Sequence, residues 1–144
     1  MSARRKGRKR ALDVLFAADV RDQSVTDVLA AETARATQNP DQHASFAFAT
    51  ELVAGFVDNS EEIDRLIGEV STEWPVARMP AVDRSVLRVA AAELMVHPET
   101  PTAVVISEAG ELASEYSTDE SRGFIQGVLG SLADRVRGTT PEDA

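Results

Sequence analysis

The spacing of apolar residues constrains this chain more than any other feature. Apolar side chains recur at steps of three and four residues, while strict alternation of apolar and polar residues over several positions is nearly absent. A period of three to four places apolar side chains on one face of a helix, whereas alternation is typical of strands. The sequence therefore predicts an all-α fold of six to seven helices packed as a bundle.

The first half of the chain contains two short helical patterns and one long one. The patterns begin at Ala11, at Ser24 with Asp27 as a capping pair, and at Asp41. The second pattern runs to about Thr37, before Asn39-Pro40 ends it. The third keeps one face apolar as far as Val70. We expect one long helix there, bent near Gly55 or Asn59, and two shorter helices are the alternative.

Prolines punctuate the second half. Trp74-Pro75 and Met79-Pro80 bracket a connector, and we expect the next two helices to open at Pro80 and Pro101 because proline suits a first helical turn. In the second of these helices, one face is expected to point inward through Val105, Ala109, Leu112 and Tyr116, and the other outward through Glu108, Glu111 and Glu115. A turn at 117–121 precedes a last helix to about Arg137.

The length suits one domain. We predict a basic flexible arm at 1–10, a helical domain at 11–137 with subdomains at about 11–73 and 78–137, and a frayed tail at 138–144.

Positive charge is concentrated at the N-terminus, although the net charge is −9. Six of the fifteen basic residues lie in the first ten positions: Arg4, Arg5, Lys6, Arg8, Lys9 and Arg10. Such a cluster neutralises phosphates and favours nucleic-acid binding. Gly7 and the all-round spacing of the charges disfavour a packed helix before Ala11, so we expect an arm that orders on its ligand. The alternative is a terminus that merely solubilises the protein.

Other function classes find little support. The chain has no cysteine, which excludes disulfides and cysteine-based metal sites. No apolar run is long enough to span a membrane, and no secretory signal follows the basic start, so we expect a cytoplasmic protein. His43 and His97 fit no triad or metal spacing. Glycines 123, 127 and 130 are expected to permit close helix packing rather than to cradle phosphate. We predict no catalytic centre, metal or cofactor.

Phe124 lies beside Arg122 in the first turn of the last helix. An exposed aromatic next to a guanidinium could stack an unpaired base, whereas the alternative is that Phe124 belongs to the core.

Three segments resemble the NusB family: the arginine-rich start at 4–16, the central VDRSVLRVAAAEL at 82–94, and the C-terminal signature at 104–132. The resemblance implies two perpendicular three-helix subdomains. It also implies a function, which is to bind boxA RNA of nascent ribosomal RNA transcripts together with ribosomal protein NusE. Binding would take place in RNA polymerase complexes that suppress termination.

The resemblance also implies site residues. The arm matches the family's RNA-contacting start, and Phe124 matches an aromatic residue that packs on RNA. Gln126 stands in the same motif in place of the usual Asn, and Gly123 replaces a residue that is often basic. The predicted RNA-binding residues are thus Arg4, Arg5, Lys6, Arg8, Lys9, Arg10, Arg122, Phe124 and Gln126.

Phe16, Asp83 and Glu120 match positions on the surface that faces NusE, where an acidic side chain could pair with a basic group of the partner. Some family members self-associate through the RNA surface, so a homodimer is possible. The competing hypothesis is a protein-only helical interaction module with a non-specific basic arm.

Overall fold

The structure is a computed structural model that describes residues 2–36 and 38–138. Within these ranges it contains seven α-helices, two short 3₁₀ turns and no strand. The helices are α1 (Ala3–Arg21), α2 (Val25–Ala36), α3 (His43–Asp58), α4 (Ser60–Val70), α5 (Ala81–Val96), α6 (Thr102–Tyr116) and α7 (Asp119–Arg137). The all-α prediction and the predicted number of helices are confirmed.

The helices pack as two groups of three around a shared core. The first group is α1, α2 and α3, and the second is α5, α6 and α7. Helix α5 also packs against α1 and α3, so it joins the groups, and most of its residues are buried. Helix α4 packs mainly against α5 and α7. The first group therefore ends near Asn59, earlier in the chain than the predicted division at 73.

The long apolar pattern from 41 to 70 is divided at Asn59, so the alternative of two shorter helices is correct. Asn59 leaves the helical conformation with φ −125° and ψ 20°. Its side-chain amide donates to the carbonyl oxygen of Gly55 at 2.9 Å, and its backbone N–H donates to that of Phe56 at 3.1 Å. These bonds satisfy the carbonyls of Gly55 and Phe56, two of the last four carbonyls of α3, and so help the chain to turn there.

Helix α1 begins at Ala3, and the prediction that no packed helix precedes Ala11 is wrong. Ser2 caps the helix by accepting the Arg5 N–H at 3.1 Å. Gly7 is buried against α3, where an added Cβ would lie 2.8 Å from the Ser45 carbonyl oxygen. A glycine costs a helix about 1 kcal/mol, but here it lets two backbones approach, and the packing that results offsets the cost.

The glycines of α7 behave differently from the prediction. A Cβ added at Gly123, Gly127 or Gly130 would meet nothing within 4 Å, so these residues border open space rather than a close helix contact. Thr37, the predicted end of the second helix, and all of the predicted tail except Gly138 lie outside the described residues. No helix in the described ranges is long and apolar enough to cross a membrane.

Candidate nucleic-acid interface

Three arginines of the arm, Arg4, Arg5 and Arg8, project from the first turns of α1 toward α5, α6 and the segment between them. Arg4 donates to Thr100 Oγ1 at 3.0 Å and pairs with Glu99 at 3.4 Å. Arg5 donates to Glu108 through Nε at 3.0 Å and Nη2 at 2.9 Å. About half of each arginine side chain remains exposed, at 47 % and 52 %. These two cations are therefore held in place and still face solvent.

Three carboxylates of α6, namely Glu108, Glu111 and Glu115, form an acidic ridge beside the arm. The hydrogen bond to Glu108, followed by its charge, raises the pKa of Arg5, and Glu111 and Glu115 add to the effect. The prediction that these residues face outward is correct in direction, but the ridge lies against the arm rather than in bulk solvent. Any phosphate that binds Arg5 must compete with Glu108.

Arg8 is the exception in the arm, because it is buried. Its Nε and Nη2 each donate to one oxygen of Glu93 at 2.7 Å, and the two side chains are 7 % and 1 % exposed. The guanidinium also lies 5.5 Å from the centre of the Phe48 ring. A paired charge in this position has no free surface for a ligand, so the predicted RNA contact by Arg8 is corrected to a structural ion pair.

The other arm cations differ in how far they are engaged. Lys9 pairs with Asp13 at 2.6 Å, one turn further along α1. Arg10 donates to Ser45 Oγ at 3.2 Å. The Lys6 side chain is exposed and has no hydrogen bond or ion pair in the part of the chain that the structure describes. The surface charge of the arm thus comes from five residues instead of six.

Tyr116 lies beside the arm at the surface, whereas its position in the α6 pattern predicts an inward side chain. It is 41 % exposed, and the Lys9 ammonium lies 4.7 Å from its ring centre. Partial burial, followed by the hydrogen bond and charge of Glu115, raises the pKa of Tyr116 above its ordinary value. Tyr116 is the last residue of α6, directly before the turn at 117–121. Its position next to this turn was the sequence signal that the side chain could be exposed.

A small cleft of about 100 Å³ lies between the arm and α6. Its lining consists of Arg5, Arg8, Lys9, Glu108, Glu111, Leu112, Glu115 and Tyr116. The cleft combines cations from α1, carboxylates from α6, and one aromatic ring at the edge. Such a combination suits a charged ligand that carries a flat apolar part.

The predicted residues of α7 are divided between two surfaces. Arg122 joins the acidic ridge, because Nη2 lies 3.0 Å from Glu111 and Nη1 donates to Ser114 Oγ at 3.3 Å. Phe124 is half-buried, packs against the core, and meets Trp74 edge to face with ring centres 5.6 Å apart. Gln126 lies over Gly110 in the contact between α6 and α7. Arg122 therefore shares α6 with the arm, whereas Phe124 faces the connector at Trp74.

Asp83 is fully buried, with 0 % exposure, so the prediction that it lies on a partner surface is wrong. Its Oδ2 accepts the Ser121 hydroxyl at 2.9 Å, and Ser121 in turn belongs to the capped start of α7, where Thr118 accepts its N–H. The carboxylate thus ties the first turn of α5 to the first turn of α7. Glu120 is exposed and Phe16 is half-buried, so these two remain at the surface.

The two histidines do not form a site. His43 is exposed at the start of α3, and His97 packs on the Phe48 ring with Nδ1 2.7 Å from Glu99. Among the described residues, no group of three histidine, aspartate or glutamate side chains could hold a metal ion.

Known proteins match this chain over most of its length. A family model described as the NusB family matches residues 5–134. "Transcription antitermination protein NusB" of Clavibacter sepedonicus is 50 % identical over 133 residues, which cover 92 % of this chain and 97 % of the relative.

Solved structures share the fold. "T. maritima NusB, P3121, Form 2" superposes with a TM-score of 0.79 at 30 % identity, covering 97 % of this chain and 95 % of the other. "Crystal Structure of Antitermination Factors NusB and NusE in complex with dsRNA" gives a TM-score of 0.79 at 26 % identity, covering 94 % and 98 %.

Proposed function

The chain belongs to the NusB family, and we propose that it is a transcription antitermination factor that binds RNA together with ribosomal protein NusE. The RNA is the single-stranded boxA element of nascent ribosomal RNA transcripts, and binding takes place in the antitermination complex of RNA polymerase in the cytoplasm. The family assignment agrees with the prediction that the chain is not an enzyme. The solved complex of a structural relative with NusE and double-stranded RNA supports NusE as a partner and RNA as the class of ligand.

The observation that carries the proposal is the set of exposed cations on a rigid helix end. Arg4, Arg5 and Lys6 occupy the first two turns of α1, which Ser2 caps and Gly7 anchors to α3. A preformed helix loses little conformational entropy when it binds, compared with a disordered arm. Residues 11–144 carry nine basic and 24 acidic side chains, whereas the first ten residues carry six basic side chains and no acidic one. We therefore expect a polyanion to approach the protein at the N-terminal end of α1.

Internal pairing limits how much the arm gains from phosphate. Arg4, Arg5 and Lys9 already contact carboxylates, and Arg8 is buried. Each neutralised phosphate contributes a slope of about −0.7 to the salt dependence on a single strand, so five surface cations allow a slope no steeper than about −3.5.

The acidic body suits a basic protein partner. Glu120 is exposed at the start of α7 and Phe16 is half-buried on α1. We assign these two residues to the NusE-facing surface, with the carboxylate of Glu120 pairing with a cation of the partner. Asp83 contributes to this surface only by holding α5 and α7 together.

Fluorescence anisotropy tests the proposal. A labelled boxA-like RNA and a scrambled control are titrated with the protein, with and without NusE, over a salt series. We expect preference for the boxA-like strand and tighter binding with NusE. The triple variant Arg4→Gln, Arg5→Gln, Lys6→Gln should lose affinity for both RNAs and show a shallower salt slope.

Arg65→Gln supplies a matched control, because Arg65 is an exposed arginine of α4 that pairs with Glu62 and Glu69, away from the arm. This variant should bind RNA like the native protein. Equal and weak binding of both RNAs, unaffected by NusE, would contradict the proposed function.

A protein-only interaction module is the second candidate, and the internal pairing of Arg4, Arg5 and Lys9 favours it. Arg4 and Arg5 connect α1 to Glu99 and to Glu108 of α6, and Lys9 pairs within α1, so cations that serve only in such internal pairs need no nucleic acid. This candidate predicts that the triple variant loses stability without any specific RNA affinity to lose. Sedimentation of the protein alone would separate it from a homodimer that covers the RNA surface.

A further inference from the structure

We propose that Tyr116 stacks one unpaired base of the bound RNA in the cleft between α1 and α6. The proposal rests on the proposed RNA-binding function and adds a residue and a subsite to it. Stacking on an aromatic ring is a common way in which proteins hold an unstacked base of a single strand.

Exposure singles out Tyr116. All seven aromatic residues of the chain lie in the described ranges, and Tyr116 is the only one that is exposed rather than half-buried or buried. Phe124, the aromatic that the sequence pointed to, is half-buried and its ring meets Trp74. A base needs an accessible ring face, and Tyr116 is 41 % exposed.

The charges around Tyr116 orient a nucleotide. Lys9 lies 4.7 Å from the ring centre on the α1 side, and Arg5 lines the same cleft. Glu111 and Glu115 line it on the α6 side. Phosphate is attracted by the cations and repelled by the carboxylates, whereas the N–H groups of a base can donate to a carboxylate. The backbone should therefore follow α1 and the base should point toward α6.

Leu112 gives the cleft an apolar floor, because it is buried and also lines the cavity. The volume of about 100 Å³ suits a single planar group rather than several nucleotides. The cleft is thus a subsite for one base, continuous with the arm.

Paired substitutions separate stacking from charge. Tyr116→Ala should weaken binding of the boxA-like RNA roughly tenfold, because one base loses its stacking partner. The slope of affinity against salt should stay unchanged, since no phosphate contact is removed. Tyr116→Phe, which keeps the ring, should bind like the native protein. Val57→Ala, at another exposed apolar position on α3 that is 42 % exposed, should also have no effect.

An abasic series identifies the base. Each nucleotide of the RNA is replaced in turn by an abasic site and titrated with the native protein and with Tyr116→Ala. One position should weaken binding to the native protein about tenfold and have little further effect on the variant. Ultraviolet cross-linking followed by trypsin should place the adduct at Tyr116 in peptide 89–122, separate from Phe124 in peptide 123–135.

The outcomes distinguish this inference from the proposed function. If the native protein prefers boxA-like RNA but Tyr116→Ala binds it equally well and no abasic position is coupled, the stacking proposal is overturned and RNA binding stands. If the native protein has no specific RNA affinity, both fall. Circular dichroism of Tyr116→Ala checks that a loss of affinity does not come from unfolding.

Discussion

Glu93→Gln is the substitution that tests the inner arrangement of the arm most directly. The Glu93 carboxylate is 1 % exposed and accepts two hydrogen bonds of 2.7 Å from the Arg8 guanidinium, which is 7 % exposed. In the variant, the amide oxygen still accepts one of these bonds, while the amide NH₂ faces the other donor. The guanidinium charge then stays buried without a counter-ion.

Breaking a buried ion pair by removing one partner costs about 3–5 kcal/mol. One bond survives in Glu93→Gln, so we expect a loss of about 3 kcal/mol in the free energy of unfolding. At a urea dependence of about 2 kcal/mol per molar, the midpoint of unfolding should fall by about 1.5 M with an unchanged slope. Circular dichroism at the helix band measures this directly in an all-helical protein.

Two controls test whether the loss of stability comes from leaving a buried charge without a partner. Glu99→Gln neutralises the carboxylate that pairs with Arg4 and contacts His97, and it should leave the midpoint nearly unchanged because the side chains of Arg4 and Glu99 are about half exposed. Combining Glu93→Leu with Arg8→Met removes both charges, so the double variant should be more stable than Glu93→Gln. If Glu93→Gln behaves like the Glu99 control, the pair is accessible to water and the argument that removes Arg8 from the RNA surface is refuted.

Two further predictions follow from the glycines and the single tyrosine. Gly7→Ala should destabilise the protein by about 1–3 kcal/mol, because its methyl group would meet the Ser45 carbonyl. Gly123→Ala, in open space within α7, should stabilise it by up to about 1 kcal/mol, and urea unfolding compares the two. Absorbance titration of Tyr116, the only tyrosine, should give a midpoint above that of free tyrosine, because partial burial and the Glu115 carboxylate raise its pKa, and Glu115→Gln should lower that midpoint. A midpoint that Glu115→Gln leaves unchanged would contradict the described surroundings of the ring.

The helices could be predicted from the sequence because their apolar faces have the period of a helix, and prolines mark several of their ends. The break at Asn59 was harder, since the apolar face continues across it. Nothing in the pattern tells whether a polar residue within a helix bonds to its own backbone, as the Asn59 amide does with Gly55. The sequence alone therefore does not distinguish one bent helix from two helices.

The site was predicted less well, because burial of polar groups depends on contacts between distant parts of the chain. Asp83 and Ser121 are 38 positions apart and meet only when α5 and α7 pack. Arg8 and Glu93 are separated by 85 positions. Asp83, Glu93 and Arg8 are charged residues, which the sequence alone would place at the surface. Only the packing shows that Asp83 and Arg8 are structural.

Gly7 explains why the sequence predicts a flexible arm where the structure has a helix. A glycine in a run of charges reads as a helix breaker when only local propensity is considered. In the fold, the missing side chain allows α1 to approach α3, and that approach carries Arg8 into contact with Glu93 and leaves Arg4 and Arg5 at the surface. Gly7 thus allows a helical arm in which one of the six cations, Arg8, is buried in an ion pair and the other five remain available to a ligand. Counting charge alone could not make that distinction.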